Sequence, residues 1–172
     1  MSIVGVVRRE EPIVPKNIRI RRATGGDAGV IAEIHLQSRR VAMPWLPVVH
    51  TDDETLEWVA HVMLMDEEVW VAEENGVVVA YAAIAPGWLE HLYVHPEHQG
   101  KGIGRRLLDL AKERQAAGLQ LWAFARNVRG RRFYEAAGFV LIEETDGAGN
   151  EEREPDVRYL WRPHIPMTRE NR

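Results

Sequence analysis

The sequence predicts one mixed α/β (α+β) domain, and three observations lead to this. At 172 residues the chain has the length of a single domain with a sizeable core. Apolar runs of strand length and amphipathic runs of helix length follow one another in the order β-α-α-β-β-β-α-β-α-β-β. No internal repeat or linker interrupts that order. The predicted organisation is an N-terminal arm (1–17), one domain (18–163) and a C-terminal tail (164–172).

The first three elements are a strand and two helices. "IRIRRA" (18–23) alternates apolar and basic residues, as a half-buried strand does. In the next segment Val30, Ile31 and Ile34 recur at helical spacing, with Asp27 as the predicted N-cap. The second helix, "DDETLEWVAHVML", opens on acidic residues, which suits the positive end of its dipole.

A hairpin and a strand–helix–strand unit come next. "VWVAEENGVVVAYAAIA" (69–85) predicts two strands joined at Asn75-Gly76. "WLEHLYV" (88–94) predicts a strand that ends before Pro96. Residues 103–117 form a predicted helix whose apolar side chains share one face. The remaining predicted elements are a strand at 119–125, a short helix ending at Gly138, and strands at 139–143 and 157–161.

Composition excludes several classes of function. The net charge of −4 and the pI near 6.0 argue against a nucleic-acid partner, which needs a basic surface. No apolar run approaches the roughly 18 residues of a membrane span, so we expect a cytoplasmic protein without a membrane partner. The absence of cysteine excludes disulfides, thiolate metal sites and a Cys nucleophile. The two serines, Ser2 and Ser38, lie outside any G-x-S-x-G elbow, which favours direct group transfer over a covalent intermediate.

Three glycines at alternate positions stand between a predicted strand and a predicted helix, in "YVHPEHQGKGIGRRLLDLA" (93–111). The spacing matches neither the G-x-G-x-x-G dinucleotide fingerprint nor a P-loop, because Gly100-Lys101 is followed by Gly102. Glycines let the backbone approach a ligand, and free N–H groups at a helix start bind phosphate. Lys101, Arg105 and Arg106 add positive charge. The alternative is a plain glycine-rich turn.

Two motifs together resemble the GCN5-related N-acetyltransferases. "QGKGIG", directly after "LYVHPEH", resembles the family's motif A, whose loop binds the pyrophosphate of acetyl-CoA. "NVRGRRFYEAAGF" (127–139) resembles its second signature, although Gly130 replaces the usual alanine. The matching positions there are Asn127, Phe133, Tyr134, Glu135, Gly138 and Phe139.

The resemblance implies a fold and a binding mode. The fold would be a central mixed, mostly antiparallel twisted sheet of about seven strands, with helices on both faces and a splay between strands 4 and 5. Acetyl-CoA, the implied cosubstrate, would insert its pantetheine arm at that splay. Backbone groups of Leu92, Tyr93 and Val94 would pair with the arm, with the Val94 N–H polarising the thioester carbonyl. The implied pyrophosphate loop is Gln99, Gly100, Lys101, Gly102, Ile103, Gly104 and Arg105, and the implied further cofactor contacts are Asn127 and Tyr134.

Two residues are the catalytic candidates. Tyr134 would supply a proton to the departing thiolate as a general acid; the alternative is a tyrosine that only packs with Phe133 and Phe139. An alkyl ammonium acceptor must lose a proton before attack, and Glu90 is the candidate base because strand alternation puts it on the face of Leu92 and Val94. The alternative for Glu90 is a solvated or ion-paired carboxylate. His35 and His91 are weaker candidates.

We expect no metal. His91 and His95 would lie about 13 Å apart on a strand rising ~3.3 Å per residue. Pro96 would prevent the helix that could bring the histidines together.

The predicted function is an N-acetyltransferase that passes an acetyl group directly to a primary amine, expected to be a small molecule. The alternatives are a protein Nα- or Lys-acetyltransferase, which needs an open groove, and a CoA-binding sensor without catalysis. The loop at 143–156, with seven acidic residues, either steers a cationic amine or is simply solvated. The resemblance also allows a homodimer.

Overall fold

The computed structural model describes residues 17–164, so the predicted arm and tail lie outside it apart from their innermost residues. Within that range, none of the helices has the length and apolar character needed to cross a bilayer. The helices are α1 (Ala28–Ala42), α2 (Asp52–Trp58), the short α3 (Leu64–Asp66), α4 (Ile103–Arg114) and α5 (Val128–Ala136). The strands are β1 (Ile18–Arg22), β2 (Glu68–Glu74), β3 (Val77–Ala85), β4 (Trp88–Val94), β5 (Leu119–Phe124), β6 (Val140–Glu144) and β7 (Asp156–Trp161).

Seven strands form one sheet in the order β1-β2-β3-β4-β5-β7-β6. All neighbours are antiparallel except β4 and β5, which are parallel. Helix α4 is the crossover that two parallel strands require. The predicted fold class is therefore confirmed.

Strands β4 and β5 separate soon after they meet. Their register contains one pair, Trp88 with Gln120, supported by the Gln120 N–H bonding the Gly87 carbonyl at 2.9 Å. Beyond that pair the strands diverge, which confirms the predicted splay. The β5-facing edge of β4 is left without a partner strand.

Helices cover both faces of the sheet. Helix α4 buries Ile103, Leu107 and Leu108 against one face, at the spacing expected of an amphipathic helix. On the other face, Ile31 and Ile34 of α1 pack with Val59, Met63 and sheet residues. Each face therefore has its own apolar cluster, as layered α/β packing requires.

Local details differ from the sequence predictions. Helix α4 ends at Arg114 instead of residue 117, before Gly118 with φ 146°. The second helix passes through a π-helical turn at Val59–Met63. Strand β4 carries a bulge, because Leu89 pairs with Ile84 and His91 pairs with Ala83, so that Glu90 is an extra residue.

Asp27 does not cap α1 with its side chain. The carboxylate accepts the Thr24 N–H at 2.7 Å and a bidentate pair from Arg21, at 2.8 and 2.9 Å. Arg21 also donates to Glu73 at 2.8 Å. The Arg21 contact lowers the pKa of Asp27 to about 2, and the network ties β1 to the start of α1.

Replacing Asp27 with Asn should lower the free energy of unfolding by about 1–2 kcal/mol at pH 7. Because the folded pKa is depressed, the stabilisation is present above the ordinary Asp pKa of about 3.9 and is lost as pH falls toward about 2. Urea unfolding at several pH values measures this. Glu33→Gln, exposed on α1, is the control; an equal loss in both variants, or a loss independent of pH, would contradict the assignment.

Candidate active site at the β4–β5 splay

A cavity of about 1210 Å³ opens where β4 and β5 separate. Its walls come from β4, β5, the glycine loop, α5, the end of α1 and the β6–β7 loop. It brings together most residues that the sequence singled out. The predicted residues that line it are Glu90, Leu92, Tyr93, Val94, Gln99, Gly100, Gly102, Ile103, Gly104, Arg105, Asn127 and Tyr134.

The backbone of Val94 faces the cavity. The His95 N–H donates to the Val79 carbonyl on β3 at 2.8 Å. Because N–H groups alternate between the two sides of a strand, the Val94 N–H points the other way, toward β5. The Val94 carbonyl on that side accepts the Ser38 hydroxyl at 2.9 Å and the Gln99 side-chain amide at 3.0 Å. Its carbonyl is thus engaged, while its N–H is directed into the splay.

The glycine loop ends in a helix start without a side-chain cap. Gly100 and Gly102 both have φ 78°, a conformation that glycine adopts without strain. Gly102 is the N-cap of α4, and the Arg106 N–H makes the first bond into the helix, to the Gly102 carbonyl. The N–H groups of Ile103, Gly104 and Arg105 precede that bond and have no helical partner. They give the cavity a positive end suited to an anion.

Gly104 permits a close approach between α4 and its neighbours. A Cβ atom there would lie 3.4 Å from Cγ2 of Val94 and 3.6 Å from the Phe133 ring. An alanine would therefore make ordinary van der Waals contacts there, whereas a larger side chain would meet Val94 and Phe133.

The cations near the loop are arranged differently from the sequence expectation. The Lys101 ammonium pairs with Glu74, and Lys101 is not among the residues that line the cavity. Arg106 donates to the Ile18 carbonyl at 3.1 Å. Arg105 does line the cavity, and Arg129, which the sequence analysis did not identify, lines it as well. In this arrangement Glu74 holds the Lys101 ammonium, and the contact of Lys101 with a cofactor stays a prediction.

Tyr134 belongs both to an aromatic cluster and to the wall of the cavity. Its ring packs edge-on against Phe133 and Phe139, with centroids 5.2 and 5.7 Å away, and it also lines the cavity. Burial raises the pKa of the phenol, so the hydroxyl keeps its proton at neutral pH.

Asn127 caps α5. Its side-chain oxygen accepts the Gly130 N–H at 3.0 Å. A Cβ on residue 130 would lie 2.6 Å from Nδ2 of Asn127, so an alanine there would shift the end of the Asn127 side chain.

The bulge changes the orientation assumed for Glu90. Simple alternation would put it with Leu92 and Val94, but Leu89 occupies that face and packs in the same cluster as they do. Glu90 still lines the cavity, and burial raises the pKa of its carboxyl.

Nearby Glu67 has a pKa raised to about 7 by burial and by the charge of Glu90. One oxygen of Glu67 is buried without a hydrogen-bond partner among the described residues.

Four histidines that the sequence analysis considered, His35, His91, His95 and His98, fall into two groups. His35 donates to or accepts from the Tyr81 hydroxyl at 2.8 Å, and burial lowers the pKa of His35 to about 3 and that of His91 to about 4. Both rings are therefore neutral at pH 7, and their low pKa values make them weak bases.

His95 and His98, with Glu97, form the second group. Pro96 starts a 3-10 turn instead of keeping the side chains apart, and their potential ligand atoms lie within 4.8 Å of one another. The turn thus brings together His95 and His98, a pair that the spacing argument for His91 and His95 did not address. One ring nitrogen of each histidine already has a partner, since Nδ1 of His95 accepts the Glu97 N–H at 3.3 Å and Nδ1 of His98 contacts Glu74.

Ion pairs tie the β6–β7 loop to the α1 side of the cavity. Arg39 donates to Glu152 at 2.6 Å, and both line the cavity. His50 contacts Glu151 at 2.8 Å. Four of the seven acidic side chains of this loop contact an arginine or histidine among residues 17–164. Such pairing favours an ion-paired loop over a free negative field.

Besides Arg129, the cavity residues that the motifs did not predict include Ser38, Arg39 and Glu152. No motif marks them. Ser38 stood out in the sequence only as a serine outside a G-x-S-x-G elbow, and Glu152 only as one of the seven acidic residues of the 143–156 loop. Their proximity to β4 depends on how α1 crosses the sheet, which residue spacing does not specify.

Comparisons with known proteins agree with this geometry. A family model described as an acetyltransferase (GNAT) domain matches residues 65–141. The L-amino acid N-acyltransferase MnaT of Escherichia coli is 32% identical over 149 residues, covering 76% of this chain and 84% of that protein. The L-methionine sulfoximine/L-methionine sulfone acetyltransferase of Salmonella typhimurium is 32% identical over 145 residues, with the same coverage.

Solved structures share the fold. YjaB from Escherichia coli superposes with a TM-score of 0.70 at 21% identity, covering 83% of this chain and 96% of that chain. The yncA protein of Salmonella typhimurium, solved with its cofactor acetyl-CoA, gives a TM-score of 0.66 at 25% identity, covering 87% and 97%. With its two motifs, its splayed sheet and these relatives, the chain belongs to the GCN5-related N-acetyltransferase (GNAT) superfamily and is an N-acetyltransferase.

Proposed function

We propose that the protein transfers an acetyl group from acetyl-CoA directly to the primary amine of a small molecule. The observation that carries this is the meeting of two unpaired backbone sites in one cavity. The start of α4 offers N–H groups for the diphosphate, and the free edge of β4 offers main-chain partners for the pantetheine amides. Gly100 and Gly102 leave the loop without side chains that could obstruct the phosphates.

Acetyl-CoA supplies the activated acyl group. In this proposal the Val94 N–H, directed into the splay, stabilises the negative charge that develops on the thioester oxygen. Tyr134, whose phenol is protonated at neutral pH, donates its proton to the sulfur as the carbon–sulfur bond breaks. Asn127 borders the path of the pantetheine arm.

Glu90 is the proposed base. The acceptor enters as an ammonium ion and must lose a proton to expose its lone pair. A carboxylate in the cavity wall, with a pKa raised by burial, can accept that proton directly or through a water molecule. His91 lies beside it, but its low pKa makes it the weaker acceptor.

The acceptor is proposed to be small because the cavity is bridged. The Arg39–Glu152 and His50–Glu151 pairs join the β6–β7 loop to the α1 side, where a protein acceptor would need an open groove. The names of the curated relatives, which act on L-amino acids or on methionine derivatives, support a small acceptor.

Release of free thiol from acetyl-CoA tests the proposal. We expect release above the no-amine rate with at least one member of a panel of amino acids, amino-acid amides, polyamines and aminoglycosides. A lysine-containing peptide and a folded protein serve as the macromolecular arm. Thiol release only with the peptide or the folded-protein acceptor would contradict the small-molecule assignment. So would a failure of every small amine in the panel to raise thiol release above the no-amine rate.

Tyr134→Phe should lower kcat by about a hundredfold or more, because the phenol proton is lost. The melting temperature should stay near that of the wild type, because the ring still packs with Phe133 and Phe139. The matched control is Tyr159→Phe, whose hydroxyl bonds Glu135 and Arg131 outside the cavity. If kcat of Tyr134→Phe equals that of the wild type at every pH tested, Tyr134 has no role as an acid.

Glu90→Gln should lower kcat/KM by about a hundredfold or more, the low end of the range for losing a general base. In the wild type, activity should fall as pH drops through the Glu90 pKa, above the ordinary carboxyl value of about 4.3, and this acid limb should vanish in the variant. Glu57→Gln, exposed on α2, is the control. An acid limb that persists unchanged in Glu90→Gln would assign the base to another group.

A further inference from the structure

A carboxylate outside the cavity contacts the residue before the glycine loop and one residue within it. Glu74 accepts Nζ of Lys101 at 3.1 and 3.2 Å, and it accepts Nδ1–H of His98. These residues stand on either side of Gln99 and Gly100. The Glu74 side chain is only 11% exposed, and the contact with Lys101 lowers the pKa of its carboxyl.

The hairpin sets the position of Glu74. It is the last residue of β2, paired with Ile18 on β1 and with Val77 on β3. The turn that follows has positive φ at both Asn75 (53°) and Gly76 (80°), as a tight two-residue hairpin needs. Glu74 is fixed by its pairing with two strands and by the tight turn that follows it. It therefore does not move with the glycine loop and is suited to restrain that loop.

We propose that Glu74 is a positioning residue for cofactor binding: by holding His98 and Lys101, it keeps the loop from residue 99 to residue 105 in the shape that presents its N–H groups to a diphosphate. This rests on the proposed function. Its contribution is preorganisation, which lowers the ordering cost that binding would otherwise carry.

The competing assignment makes Lys101 the phosphate ligand, with Glu74 merely its resting partner. The two assignments predict opposite changes in CoA affinity for Glu74→Gln. If Lys101 binds phosphate, Glu74→Gln frees the ammonium and removes a repulsive charge, so CoA should bind more tightly. If Glu74 positions the loop, the same substitution weakens the charge-assisted bonds, and CoA should bind less tightly although an anionic side chain has been removed.

The experiment is a calorimetric titration of CoA into the full chain, with kcat and KM for acetyl-CoA measured in parallel. We expect Glu74→Gln to raise the Kd for CoA about tenfold, corresponding to ~1.4 kcal/mol, and to raise KM similarly with kcat at saturation unchanged. Glu73→Gln is the matched control, since it changes the charge equally and is 13% exposed but contacts Arg21 instead of the loop.

Amide hydrogen exchange of residues 99–102 in the unliganded protein gives a second readout that does not depend on binding. Exchange should quicken in Glu74→Gln and not in Glu73→Gln. A Kd for CoA in Glu74→Gln equal to or below the wild-type value, or a global loss of protection in that variant, would overturn the positioning role while leaving the proposed function intact. Failure of the wild-type protein to bind CoA would overturn both.

Discussion

The separation of β4 from β5 is the constraint on which the rest of the site depends. A strand that loses its partner inside a protein exposes N–H and C=O groups that need hydrogen-bond partners. The Val94 carbonyl obtains two, from Ser38 on α1 and from Gln99 in the loop. The Val94 N–H, on the same edge, is directed into the splay. At Val94 the acceptor is thus satisfied within the protein while the donor stays available, which suits a carbonyl oxygen of a ligand.

The same constraint explains how the surrounding elements are fixed. Helix α4 begins directly below the unpaired edge, and Gly104 allows it to lie against Val94 and Phe133. Arg106 joins the helix to β1 through the Ile18 carbonyl, and Glu74 joins the loop to β2. A site made of backbone groups cannot be tuned by exchanging side chains, so its precision depends on such neighbouring ties.

Much of the fold could be predicted from sequence because local signals were strong. Asn75-Gly76 identified the hairpin, Pro96 the end of β4, and apolar periodicity the helix α4. The predicted residues that line the cavity were found mostly through the two motifs, and their roles stay predictions. The exceptions arise from tertiary contacts. Glu74 forms an ion pair with Lys101, and Arg21 forms one with Asp27. The bulge at Glu90 depends on the register of β4 with β3. Residue spacing encodes none of these contacts.

The central claim, that the free edge of β4 and the start of α4 form the CoA site, is tested most directly by amide chemical shifts. In a titration of the isotopically labelled protein with CoA, the N–H signals of Val94 and of residues 100–105 should move most and saturate together. The account would be contradicted if those signals stayed in place while CoA saturated a different set of amides.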